Sequence, residues 1–179
     1  MIKRALALVL CFTLLFPLFP ATVFGAESSH SGECGNGVTW KIVDGVLIIS
    51  GNGKIRDYMY YMNSGPGWNQ NYDNQLPFTS VIIEPGITAI GDNAFRGCDF
   101  TDISIPGTVT YIGESAFSGV DGLTEIRIPE GVTSIGREGL AINGCNIYVP
   151  RSLGFVGYSG FREMWGNQTT CIFRYPKTN

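Results

Sequence analysis

Leu123-Thr124-Glu125-Ile126-Arg127-Ile128-Pro129-Glu130-Gly131-Val132-Thr133-Ser134-Ile135-Gly136 is the stretch from which the fold is read. Ile126-Arg127-Ile128 alternates with a period of two, sending two side chains inward and one outward, as a half-buried strand does. Pro129 has no amide hydrogen to donate, so the strand stops there. Gly131 lies just beyond, and residues 132–135 begin a second extended piece. Gly136 closes it at a corner, where a positive φ is expected to favour glycine.

The same line returns every 21 to 23 residues. Val81-Ile82-Ile83, Ile103-Ser104-Ile105 and Ile147-Tyr148-Val149 match the first strand, and Ile90-Gly91, Ile112-Gly113 and Val156-Gly157 match the corner. A unit this short cannot bury its apolar side alone and must stack on its neighbours, which marks a solenoid with two parallel sheets. After the corners, Asp92-Asn93-Ala94-Phe95 and Glu114-Ser115-Ala116-Phe117 read as single helical turns. Phe95, Phe117, Leu140 and Phe161 are expected to stack in a column at about 4.8 Å, the spacing of hydrogen-bonded strands.

The expected fold is mainly β, a short parallel β-solenoid with a β cap before it and a small helix and strand cap after it. Residues 1–25 read as a secretory signal peptide, with Lys3 and Arg4 ahead of an apolar run of about twelve residues that is too short to span a bilayer. Residues 26–37 are expected to lie exposed. Residues 38–80 hold the first cap and an aromatic loop, with 38–42 and 46–49 joined by the hairpin pair Asp44-Gly45. Residues 81–157 are the repeats and 158–179 the closing cap, a helix over 158–165 and a strand over 171–175.

Without Lys3 and Arg4 the 12 basic residues become 10 against 15 acidic ones, five net negative charges, which argues against nucleic acid as a partner. No later apolar stretch is long enough for a membrane helix, so a released, extracellular product is expected. Cys34, Cys98, Cys145 and Cys171 would remain after cleavage in a setting that permits disulfides. Their spacing carries no metal signature, and the single histidine is His30. Cys98 takes a place where a small buried hydrophobe would serve, with Val120 and Asn143 as counterparts, so it is expected to be buried and unpaired. Cys145 and Cys171 flank the last turns and are the candidate disulfide.

The motif from Leu123 to Gly136, with Ala116-Phe117 and with Ala94-Phe95 ahead of Cys98, resembles the BspA-type leucine-rich repeats of bacterial secreted and surface proteins. Cys34-Gly35, Val38-Thr39-Trp40, Asp44-Gly45, Ile49-Ser50-Gly51-Asn52-Gly53 and Asp57-Tyr58 resemble the flank that precedes such repeats; Ile147-Tyr148-Val149-Pro150 and Trp165 resemble their ending. The resemblance covers most of residues 34 to 175. It implies a leucine-rich-repeat fold used for adhesion or protein recognition, with no common catalytic residues, and this chain shows about four repeats and no recognisable cell-wall sorting signal.

Residues 58–75 are dense in aromatic rings and amides. Tyr60, Tyr61, Tyr72 and Trp68 are candidate ligand-binding residues, because such rings beside Asn, Gln and Asp stack on sugars and also suit protein contact. Trp68 has a competing role as a lid over the end of the coil. Catalysis has little support, since His30 stands outside the repeats and offers a nucleophile no folded partner. Asp92 and Glu114 fall on adjacent coils as a glycosidase pair might demand, but solvated turn positions explain them as well. No catalytic, metal or cofactor residue is assigned. Ile82, Ser104, Arg127 and Tyr148, with Thr88, Thr110 and Thr133 on the second sheet, give a mildly polar outer surface. Two functions are expected to compete: a secreted, non-catalytic protein-interaction or adhesion module, and a carbohydrate-binding module using residues 58–75. The partner is then an extracellular protein or a glycan.

Overall fold

The computed structural model describes residues 30–59, 65–69, 76–157 and 160. Three antiparallel strands come first: β1 (Ser31–Gly35), β2 (Val38–Val43) and β3 (Val46–Gly51). Asp44 and Gly45 between β2 and β3 take φ of 49° and 74°, the paired positive angles of a two-residue hairpin turn whose twist matches its strands. Over Ser31–Gly35, β1 corrects the expectation that residues 26–37 lie exposed; residues 26–29 lie outside the described residues. Gly32 of β1 stands opposite Trp40 of β2, and Cys34 is fully buried. With two glycines in five residues, β1 has no alternation from which to read a strand.

From β3 onward the pairing is parallel. In the first sheet β5 (Ser80–Ile83) pairs with β3, and β7 (Asp102–Ser104) pairs with β5. β9 (Glu125–Arg127) and β11 (Asn146–Tyr148) pair with each other. They stand as a separate two-stranded sheet, where one continuous sheet was expected. The second sheet runs without a break in the order β12-β10-β8-β6-β4, from β4 (Gly53–Lys54) through β6 (Ile87–Ile90), β8 (Tyr111–Ile112) and β10 (Ser134–Ile135) to β12 (Phe155–Val156). Between the sheets lies one apolar core, to which each unit gives the inward residues of both strands, such as Val81, Ile83, Ile87 and Ile90. Burying each is worth about 1.5 to 3 kcal/mol.

The corner glycines are needed for a different reason from the expected one. Gly91, Gly113, Gly136 and Gly157 are not among the positive-φ residues. A Cβ on Gly113 would come within 2.6 Å of the Asp92 amide nitrogen, and one on Gly136 within 2.6 Å of the Glu114 amide nitrogen. One on Gly157 would meet the Arg137 amide nitrogen at 2.6 Å. Close approach of successive units excludes any side chain there.

The helical turns expected after the corners are also absent: no helix occurs among the described residues. Asn93, Ser115 and Glu138 take φ of 56°, 52° and 54°, which reverses the hand of the chain one residue into each turn. Alternate amides then donate outward to the next unit. Asn93 N–H reaches Glu114 O at 2.9 Å and Phe95 N–H reaches Ala116 O at 2.8 Å; one unit on, Ser115 N–H reaches Arg137 O at 2.8 Å and Phe117 N–H reaches Gly139 O at 3.0 Å. The unit-to-unit ladder thus continues around the corner. The closing helix and strand expected over 158–165 and 171–175 lie outside the described residues.

Candidate functional site

Phe95 and Phe117 stack with ring centroids 5.1 Å apart and planes 10° apart. Trp68 adds a third ring, 5.6 Å above Phe95 at 26°. Its indole N–H donates to Ala94 O at 3.2 Å, while Trp40 and Tyr58 meet it edge-on at 5.7 and 6.2 Å. The ring has no exposed surface. As a candidate ligand residue Trp68 is therefore corrected: its faces are spent on the column, and it extends the core by one layer before the first repeat. Asn69 beside it donates to Arg96 O at 3.2 Å and to Cys98 Sγ at 3.4 Å. Tyr60, Tyr61 and Tyr72 lie outside the described residues.

The strands instead bring a row of side chains to the outer face of the first sheet. Register places Lys41 opposite Ile48, Ile48 opposite Ile82, and Ile82 opposite Ser104. Farther along, Arg127 stands opposite Tyr148. Ile82 is 42% exposed, unusual for a residue of its type in a strand. The Arg127 guanidinium lies 4.1 Å from the Tyr148 ring centroid and 3.2 Å from Glu125 Oε1. Exposed pairs of this kind add little stability, so their chemistry is available to a partner. The alternation of residues 38–42 and 46–49 carried the signal for Lys41 and Ile48, which sequence reasoning did not add to the row. At the start of the face, Ser31, Gly32, Thr39, Trp40, Lys41 and Ser50 line a shallow depression of about 420 Å³.

On the second sheet, Thr110 Oγ1 donates to Thr88 O at 3.2 Å and Thr133 Oγ1 to Thr110 O at 3.3 Å. Those hydroxyls serve the stacking of units. The corner beside them carries carboxylates with the same task. Asp57 Oδ1 accepts the Asp92 amide at 2.8 Å, Asp92 Oδ1 accepts the Glu114 amide at 2.8 Å, and Glu114 Oε1 accepts Arg137 at 3.0 Å. Burial raises the Asp57 carboxyl, but the hydrogen bond from Lys54, the Asp92 amide and the charge of Lys54 together hold it below its usual range. Desolvation and the nearby carboxylates, chiefly Asp92, raise the Tyr111 phenol against the pull of Lys54, whose ammonium is 5.9 Å from the ring centroid. Asp92 and Glu114 are neighbours on adjacent units, with Asp92 Oδ1 engaged by the Glu114 amide and Glu114 Oε1 by Arg137.

The thiols are withdrawn from solvent. Burial pushes Cys34 up to about 12 against the charge of Arg56, and burial pushes Cys98 up to about 12 against the hydrogen bond from Asn69. Both are buried and free. Cys145 is buried as well, and its candidate partner Cys171 lies outside the described residues. Among the described residues no three His, Cys, Asp or Glu side chains gather as a metal site, and no helix is long and apolar enough to cross a membrane.

The same fold occurs in a solved bacterial protein. A leucine-rich repeat protein from Eubacterium ventriosum is 24% identical, with a TM-score of 0.55 over 73% of this chain and 40% of that one. A leucine-rich repeat protein from Bacteroides ovatus is 22% identical, with a TM-score of 0.44 over 68% and 36%. The chain thus spans about two fifths or less of the length of these neighbours. None of the curated proteins matches it. Residues 69–173, more than half of the chain, match the BspA type leucine-rich repeat region in six copies. With its parallel ladders, its close-packed corners and that match, the chain belongs to the BspA-type leucine-rich repeat family.

Proposed function

We propose that the chain is an exported, non-catalytic protein-interaction module of an adhesive kind, and that the outer row of the first sheet is its contact surface. In this reading the units wind as a short parallel β-solenoid, with the antiparallel strands before them and residues 158–179 after them closing its ends. The row Lys41, Ile48, Ile82 and Ser104, continued by Arg127 and Tyr148, carries the proposal. It combines an exposed aliphatic centre with a cation and an aromatic ring, the mixture enriched where proteins bind proteins. Export rests on the character of residues 1–25.

The carbohydrate reading loses one of its four rings, because Trp68 offers no face to a sugar. The test compares the protein lacking residues 1–25 with a folded Ile82→Asp, Arg127→Glu double variant. Both are applied to a panel of immobilised extracellular matrix proteins and to a glycan array. Protein binding that falls at least tenfold in the double variant supports the proposal. Specific glycan signal that the double variant retains and Tyr61→Ala or Tyr72→Ala removes would replace it with the carbohydrate reading.

A further inference from the structure

Ile103 follows Phe95 by eight positions, whereas Ile126 follows Phe117 by nine. The extra residue is traced by its neighbours. Asp99 and Asp121 still form a parallel bridge, with Phe100 N–H donating to Asp121 O at 3.1 Å. Beyond it Leu123 takes the buried place that Phe100 holds one unit earlier. Gly122 is left without a counterpart, at φ 84°.

The ladder fails directly after this residue. Thr101 N–H donates to Thr79 O at 2.9 Å, and Asn146 N–H donates to Thr124 O at 2.9 Å. Among the described residues no such bonds join β9 to β7, though the two strands remain side by side. Packing records the same break. Val81, Ile83, Ile126, Ile128, Ile147 and Val149 are buried, but Ile103 and Ile105 of the unit facing Gly122 are only partly so. The second sheet passes the same point intact, with Ser134 opposite Tyr111 and Gly136 N–H on Ile112 O at 2.8 Å.

We propose that Gly122 creates a conformational seam in the first sheet, dividing it into two plates, β1-β2-β3-β5-β7 and β9-β11, that shift against each other while the second sheet holds them together. The backbone groups along the seam make no bond across it, so the restoring force that a ladder supplies elsewhere is missing. The seam crosses the outer row between Ser104 and Arg127. Resting on the contact surface proposed above, a partner that touches both plates selects one spacing from those the free protein samples.

Hydrogen exchange followed by NMR on the partner-free protein tests the seam without any ligand. The β9 amides directed at β7 are expected to exchange at least about tenfold faster than the matching amides of β7 directed at β5 and of β11 directed at β9. Equal protection at all three interfaces overturns the proposal. Deleting Gly122 restores the 22-residue interval and is expected to bring the β9 amides to the protection of the others. A shortened chain that folds and still exchanges fast there refutes Gly122 as the cause. The comparison within the unaltered protein stands whether or not the shortened chain folds, and a failure of the contact surface alone would leave the exchange pattern in place.

Discussion

Phe117→Ala is the substitution that asks most of the stacked core. The ring is fully buried, lies 5.1 Å from Phe95 and has buried Leu140 at the equivalent place of the next unit. Removing such a ring costs about 3 to 5 kcal/mol, because the transfer energy of the lost atoms is joined by a cavity that neighbouring units, tied to each other through their backbones, cannot collapse to fill. Against a total stability of about 5 to 15 kcal/mol for a domain, that is a large share. With a urea slope of about 2 kcal/mol per molar, the unfolding midpoint falls by roughly 2 M. Indole fluorescence is a fitting probe, since Trp68 stands on the same column. Phe117→Leu is expected to cost about 1 kcal/mol, because Leu140 shows that the corner accepts that shape. Thr110→Ala, which loses an exposed hydroxyl bond, should stay within about 0.5 kcal/mol. Combined with Phe95→Ala, Phe117→Ala should show a coupling of about 0.5 to 1.5 kcal/mol. A cost for Phe117→Ala below about 1 kcal/mol, or one no larger than that of Thr110→Ala, would refute the stacked column as a principal support of the fold.

Gly113→Ala should lower the melting temperature sharply, since its Cβ meets the Asp92 amide nitrogen at 2.6 Å, whereas Gly107→Ala, with nothing within 4 Å, should be neutral or stabilising by about 0.4 to 1 kcal/mol. Cys34 and Cys98 should resist alkylation in the native protein at pH 8 and react on unfolding in guanidinium, as mass mapping would read. Their folded values near 12 exceed the unfolded value of about 8.5, so the stability they contribute is complete below about pH 8.5 and declines as pH rises toward 12; urea melts across that window check the sign. The Asp57 carboxyl is held low, so its contribution is present above the unfolded value of about 3.9 and is lost as pH falls through the folded one; Asp57→Asn should flatten the acid limb of stability against pH.

Much of the architecture stood in the repeat itself. The inward residues of β5, β9 and β11 and the Phe95 and Phe117 column follow from periods of two and of about 22, and the hairpin from its turn pair Asp44-Gly45. The corner glycines show where the limit falls. Their recurrence says that no side chain fits, but a forbidden Cβ and a required positive φ leave the same letter in the sequence. The positive angles fell two residues later, on Asn93, Ser115 and Glu138, three residue types with no shared signature. The break after β7 was written as one added glycine, yet its effect depends on whether the slack is absorbed before or within the strand. The candidate ligand residues were the least legible part. An aromatic cluster is compatible with a core layer and with a binding site, and only burial separates the two for Trp68.

The carboxylate chain at the corner bears on how such proteins change length. Asp92 gives its backbone N–H to Asp57 and its side chain to the Glu114 N–H. The block at the Asp92 corner therefore carries one donor facing backward and one acceptor facing forward, whereas the next joint is the side-chain pair of Arg137 and Glu114. Gene duplication that copies such a block whole also copies both halves of the joint, and the spliced unit meets the old ones without any compensating change. Unequal recombination can lengthen or shorten the array in the same way, so the number of units becomes a heritable quantity that varies in whole steps while each carboxylate-to-amide junction keeps its chemistry.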